Sequence, residues 1–504
     1  MRNPWWLITI AIAMALRTVA LGRWPGINGD EAWYGVNVQE LLHGGAVFWR
    51  TGVGNPLNPL HSGLLLALSA VFEPSGALLR IPEVILGMAA VALAYPLLAP
   101  PLGHGVAMLV TALLAVSPVT VAYSRLGWDP SGTPLLTLLA VGWALADRPW
   151  PSLIAVVLAY FVHPTNVFIV PIVAAAWAPH AMHRYRAAGH LTRGRINRLA
   201  LMAMGLAIPA AIWIALGVAD NPNTALPSVG MVIDRVVSPT RWLERLWGFI
   251  NLASSVSTLS HMVAPLAPAV ALAANVLTAV LSAMGLGALW RSTSQRWIVG
   301  GLAAAFAGFH VIALDLALQP TLERYGMFML VPMFIVIAKA LDAIARRSTL
   351  AGDATTAAAV SVCAAMTAGG YFYPLASRGG DAMITYRTGD VEPKLAAFEY
   401  IASSSGSAPV RIIAEDWFLY WTLRYFATPA GRIQVETVPD TNLPGGTRPA
   451  GARAPALPFP QRTFIVAFAG SGYAATLKPS MPLFTAVDPI GRPVVEVYEG
   501  AMVP

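Results

Sequence analysis

Residues 5–35 read WWLITIAIAMALRTVALGRWPGINGDEAWYG, an apolar run that ends at Arg23-Trp24-Pro25 and gives way to two adjacent carboxylates, Asp30 and Glu31. A helix of about 20 apolar residues crosses the roughly 30 Å hydrocarbon core of a bilayer. No water is available there, so the backbone must satisfy its own hydrogen bonds, which selects a helix. No small-residue cleavage site precedes Arg23, so the run reads as an uncleaved first span rather than a removed signal peptide. The paired acids then lie just outside the membrane.

The rest of the chain repeats this pattern. Of 504 residues, 56% are hydrophobic and 11% charged, against roughly 25% charged in soluble domains. Mean hydropathy is +0.61. A soluble protein of this composition has too little polar material to cover its surface. Apolar blocks at 5–22, 80–99, 105–126, 133–147, 152–163, 165–178, 199–217, 262–289, 297–317, 325–345 and 354–373 predict a polytopic α-helical protein with about eleven transmembrane helices. The fifth and sixth are divided at His163-Pro164, because proline breaks the helical hydrogen-bond ladder.

The net charge of +7 does not indicate nucleic acid. Arg184, Arg186, Arg193, Arg195 and Arg198 share one gap between apolar blocks, Arg291 and Arg296 flank another, and Arg346-Arg347 fill a third. That asymmetry places these loops in the cytoplasm, together with the N-terminus. The outer loops are then 23–79, the turn at Trp128-Asp129-Pro130, 218–261, and a turn from Gln319 to Tyr325. The first holds two helical stretches too short or amphipathic to span, 31–43 and 60–72, and Arg241 to Trp247 has the same character; such helices lie in the membrane interface. The lone cysteine, Cys363, sits inside an apolar block.

After Tyr373 charges return. Val410–Ala414, Ile433–Val438 and Phe464–Ala469 read as strands, 393–404 and 416–426 as helices, and 439–460 as an irregular Pro/Gly/Arg-rich linker. Residues 1–373 thus form a transmembrane domain and 374–504 an extracytoplasmic α/β domain. No P-loop and no zinc-spaced Cys/His cluster is present.

Of the two acids, Asn28 with Glu31 three residues on forms a capping box, which accounts for Glu31 and leaves Asp30 without a local role. Asp129 stands before Pro130 as a natural N-cap. Arg80, Arg125 and Arg324 lie at span ends, where arginines also reach for headgroups. His163 sits at the tip of the fifth/sixth hairpin.

In order, Arg17, then Asp30-Glu31-Ala32-Trp33-Tyr34, then Asn58-Pro59-Leu60, Arg80-Ile81-Pro82, and Tyr123-Ser124-Arg125 with Asp129 make a pattern similar to the GT-C superfamily of lipid-phosphate-sugar glycosyltransferases, in particular the protein O-mannosyltransferases and the aminoarabinose transferases of lipid A. Glu323-Arg324-Tyr325-Gly326 with Pro332 resembles a late motif of that group. The group often carries Lys-Pro where this chain has Asn58-Pro59, so the donor phosphate needs another cation; Arg50, His61 and Arg324 are the substitutes. The Trp-Trp-Asp-Tyr-Gly signature of oligosaccharyltransferases is missing, which argues against transfer of whole N-glycans.

The resemblance implies an inverting transfer of a sugar, hexosyl or pentosyl, from a polyprenyl phosphate to a hydroxyl of an envelope lipid, polysaccharide or protein, at the outer face of a plasma (inner) membrane. It implies Asp30 as general base with Glu31 and Asp129 beside it, Arg324, Arg80, Arg125 and His61 at the donor phosphate, and Tyr34, His163 and Tyr325 lining the acceptor cavity. Hard carboxylate oxygens at Asp30, Glu31 and Asp129 suit Mg²⁺ or Ca²⁺, but the resemblance is to metal-independent transferases, so neither metal nor cofactor is expected. A transporter or lipid flippase is the alternative; such proteins carry ionisable groups near the bilayer midplane and often paired repeats, whereas these acids gather at span ends on one side and no repeat is visible.

Overall fold

The computed structural model describes residues 4–45, 57–188, 228–313, 323–347, 349–378, 385–428, 431–438, 462–477 and 481–500. The block at 199–217, the linker at 439–460 and Arg50, Arg193, Arg195 and Arg198 lie outside them.

Helix α1 (Pro4–Thr18) is the first apolar run. It packs against α4 (Gly76–Leu102) and α5 (His104–Val116). Between them in sequence come α2 (Gly29–Leu42) and α3 (Pro59–Ser69), the two short helices expected in the first outer loop. Asn28 caps α2, with both halves of the capping box formed, and Asn58 caps α3 ahead of Pro59. The block at 105–126 is not one helix. Ser117 is extended and the chain restarts as α6 (Pro118–Tyr123), because Pro118 lacks an N–H and pushes its predecessor out of the helical region. Helices α7 (Thr133–Leu145) and α8 (Pro149–Val162) follow. The break at His163-Pro164 is found as expected: His163 is extended, a 3₁₀ segment Pro164–Ile169 follows, and α9 (Val170–Ala188) continues from it.

In the segment expected as the long outer loop, α10 (Val229–Val237), α11 (Pro239–Ala253) and α12 (Val256–Met262) precede α13 (Pro268–Arg291). The eighth block therefore starts later than position 262. Leu243, Leu246 and Trp247 of α11 are exposed while Phe249 and Ile250 are buried, the two-sided character expected of an interfacial helix. Helix α14 (Arg296–Ile312) and α15 (Leu330–Ala345) come next, the latter introduced by a single turn, Glu323–Gly326, and a 3₁₀ stretch. Helix α16 (Thr349–Met366) runs into a π-helical turn, Thr367–Phe372. Among the described residues, five helical stretches are long and apolar enough to cross a membrane, and six shorter apolar helices accompany them.

The C-terminal part carries one mixed sheet in the order β2-β1-β3-β5-β4. Strands β1 (Val410–Ala414), β2 (Ile433–Thr437) and β3 (Arg462–Phe468) are parallel; β5 (Pro493–Gly500) runs antiparallel to β3 and to β4 (Phe484–Val487). Helices α17 (Glu392–Ser404) and α18 (Trp417–Ala427) cover it, with Ile401, Leu419 and Leu423 meeting Ile412, Phe464 and Val495. The other side of α18 turns Trp421 and Tyr425 onto Trp33, Tyr34 and Val36 of α2. That contact sets the domain directly on the helix whose first turn holds Asp30.

Candidate active site

The turn after α6 is tied to the start of α2 by Glu31. The Gly127 amide donates to Glu31 Oε2 at 3.0 Å. A Cβ on Gly127 would run into the Leu79 carbonyl, so only glycine allows this approach. The next residue, Trp128, thereby comes beside Asp30, where its indole N–H favours the ionised carboxylate. The Arg324 guanidinium lies over the same indole, 4.8 Å from Cζ to the ring centroid, and over Tyr325 at 4.7 Å. Its charge acts on Asp30, His163 and His261. His163 meets Tyr325 edge-on, ring centroids 5.5 Å apart. Its Nδ1 accepts from the Thr165 amide at 3.3 Å and lies 2.7 Å from the Thr165 hydroxyl, capping the 3₁₀ segment. That arrangement assigns the neutral ring's proton to Nε2.

A half-buried carboxylate and a guanidinium thus lie beside Trp128, with His163 against Tyr325 and His261 within reach of the Arg324 charge. Burial pushes Asp30 above the usual carboxylate range and Glu31 adds to the rise, while Arg324 and the indole N–H oppose it. A raised carboxylate is a stronger base wherever it stays ionised. If Asp30 takes a proton in the reaction, activity is lost as pH falls through this raised value. The acid limb of kcat/KM should then lie above the ordinary value of about 4. An acid limb at or below that value would contradict the assignment. Burial and Arg324 both lower His261, which favours its neutral ring.

Among the residues expected at the site, Asp30, Arg324, Tyr325 and His163 come together. The backbone of Asp129 opens the 3₁₀ turn Asp129–Gly132 next to Trp128; its side chain lies outside the described ones. Glu31 is fully buried, bonded to the Asn28 amide at 2.9 Å, to Gly127, and to Arg80 at 2.8 Å. Arg80 is correspondingly tied to Glu31 and to the carbonyls of Leu21 and Gly26 at 2.9 and 3.0 Å. Arg125 donates to the carbonyls of Leu16, Arg17 and Trp24. These two arginines are engaged in holding the chain. His61 pairs through Nδ1 with Glu83 at 2.9 Å, both side chains wholly buried, and Tyr34 packs its ring edge-on against it at 4.8 Å. Trp128 and His261 were not singled out by sequence reasoning. The signal for Trp128 was its place beside Asp129 at the shortest outer turn; His261 carried none, standing alone ahead of an apolar block.

No protein-family model and no curated protein matches this chain. Among solved structures, ArnT from Cupriavidus metallidurans in the apo state is similar at a TM-score of 0.52, with 14% identity over 98% of this chain and 98% of that one. ArnT bound to undecaprenyl phosphate gives 0.55, again 14% identical, over 99% and 98%. An Archaeoglobus fulgidus oligosaccharyltransferase scores 0.49 at 16% identity, over 85% of this chain and 62% of that one. At such identities the property shared with ArnT is the fold. The GT-C-like arrangement expected from the sequence is the one found.

Proposed function

We propose that this chain is a membrane glycosyltransferase that moves a sugar from a polyprenyl phosphate to an acceptor hydroxyl outside the cytoplasm. The observation that carries the reading is the meeting of Asp30 and Arg324 beside Trp128 on a fold shared, end to end, with ArnT bound to undecaprenyl phosphate. Eleven crossings with a cytoplasmic N-terminus put this site and the sheet domain at the outer face of a plasma membrane, in keeping with the arginine asymmetry. The acceptor is an envelope lipid, polysaccharide or protein.

The step balances simply. Asp30 takes the proton of the acceptor hydroxyl as its oxygen attacks the anomeric carbon. The bond from that carbon to the phosphate oxygen breaks, and the polyprenyl phosphate departs with the electron pair. Attack from the face opposite the phosphate inverts the anomeric centre. Arg324 holds the developing phosphate charge, a task suited to a planar guanidinium. Trp128, stacked parallel to Tyr123 with ring centroids 6.5 Å apart, offers an aromatic wall beside the reacting groups.

Outside the cytoplasm a nucleotide sugar is not at hand, so the activated sugar arrives on lipid. Purified protein offered a polyprenyl-monophosphate sugar and the matching nucleotide sugar should turn over only the first. Arg324→Ala should lower kcat/KM for the lipid donor by roughly 10- to 100-fold, the worth of a hydrogen bond to a charged group, and leave acceptor KM within about twofold. Turnover of the nucleotide sugar would defeat the lipid-donor reading.

A further inference from the structure

Chain segment 23–28, which leads into α2 and Asp30, is held by residues more than 350 positions away in sequence. The Val391 amide donates to the Arg23 carbonyl at 3.0 Å, and Arg23 Nε pairs with Asp390 at 2.8 Å. The Gly26 amide donates to the Thr388 carbonyl at 3.2 Å. The Asn28 side-chain amide donates to the Thr385 carbonyl, while the Asn28 oxygen accepts from the Asp30 amide at 2.7 Å. Lys394 of α17 is fully buried, and its Nζ joins the two strips, donating to the carbonyls of Ile27 at 2.7 Å and Tyr386 at 2.9 Å. The same strip also reaches the far side of the site: the Thr385 hydroxyl donates to the His261 carbonyl at 3.2 Å.

We infer that residues 385–394 are a strap that sets the position of the base, and that Lys394 is its positioning residue, fixing the Ile27-Asn28 backbone so that Asp30 faces Trp128 and Arg324. This rests on the reading of Asp30 as the base. A buried ammonium whose donors go to two main-chain oxygens does little for a domain interface that apolar contact already secures. What it does is specify the path of backbone that no regular secondary structure holds. Burial pushes its amine down to about 7, with Asp416 and Glu31 pulling the other way; neutral or charged, the amine still donates to both carbonyls.

The test compares full-length variants. Lys394→Met keeps an unbranched apolar stem one atom shorter and removes the donors. A base displaced by a fraction of an ångström costs rate rather than donor binding, so kcat should fall about tenfold or more with donor KM within about twofold. As Asp30 loses its fixed place against Arg324, Trp128 and Glu31, the acid limb of kcat/KM should move towards that of an exposed carboxylate. Lys394→Gln, which keeps an N–H donor, should recover part of the rate. Arg424→Ala removes the pairing with Glu40 (3.2 Å) that docks the same domain at the other end of α2, and should leave both kcat and the limb in place. A folded Lys394→Met protein with kcat within twofold and an unmoved limb overturns the inference. If that variant does not fold, Gly26→Ala substitutes for it, since the new Cβ would run into the Thr388 hydroxyl and carbonyl; unchanged kinetics there overturn it equally. Asp30→Asn separates the two levels: a dead Asp30→Asn beside an unaffected Lys394→Met defeats the strap alone, whereas an active Asp30→Asn defeats the base assignment.

Discussion

Asp30→Asn should cut sugar transfer by roughly 10²- to 10⁴-fold, the usual contribution of a positioned general base. The amide has the size of the carboxylate, so the fold around α2 should persist. What it lacks is a basic oxygen for the acceptor proton. It also lacks the charge that faces Arg324, so binding of the anionic donor should be unchanged or slightly tighter. Steady-state kinetics with saturating lipid donor measure this directly. A variant that keeps more than about a tenth of wild-type kcat would falsify base catalysis at Asp30.

The second large effect concerns stability. From the capping box alone, Glu31→Gln would cost about 1 kcal/mol. The fold makes Glu31 far more consequential, because its wholly buried carboxylate is shared among Arg80, the Asn28 amide and the Gly127 amide. Neutralising it leaves the buried Arg80 guanidinium without its counter-charge, an outcome worth about 3–5 kcal/mol. Arg80→Met should be comparably damaging from the other side. The double variant should be milder than either single one, since it removes both charges together. Thermal unfolding in detergent reads the order of the four proteins. A Glu31→Gln protein as stable as wild type would show that the pair carries little.

Much of this architecture was legible from residues. The break at His163-Pro164, the capped helix at Asn28, the short helix at Pro59 and the onset of strands after Tyr373 all follow from local chemistry: a missing N–H, a cap, an alternation. Other features were not. Ser117-Pro118 carries the same kind of signal as His163-Pro164, but it lies inside a block of span length and reads as one helix until its neighbours are seen. Strands β4 and β5 escaped notice because β4 is four residues long and β5 opens on Pro493 among charges, so pairing with β3 rather than local preference makes them strands. Arg80, Arg125 and Arg324 are indistinguishable by sequence, each an arginine near a span end. Only the path of the surrounding chain separates two that hold backbone from one that faces Asp30. The pairing of His61 with Glu83 joins residues on different helices and has no local signature.

The arginines that hold backbone have a bearing on how far such a chain can diverge. Arg17 donates to the carbonyls of Ala13, Leu114 and Ala115, Arg125 to those of Leu16, Arg17 and Trp24, and Arg80 to those of Leu21 and Gly26. A carbonyl is the same group whatever side chain its residue bears. Substitutions at Ala13, Leu16, Leu21, Leu114 or Ala115 can therefore alter the amino acid without altering the acceptor, provided the chain keeps its course. The requirement falls on shape at the acceptor end and on identity only at the arginine. Paired changes, the usual trace of two residues in contact, have no reason to arise between these positions and the arginines. A scaffold fastened in this way can hold its form while nearly all of its letters change.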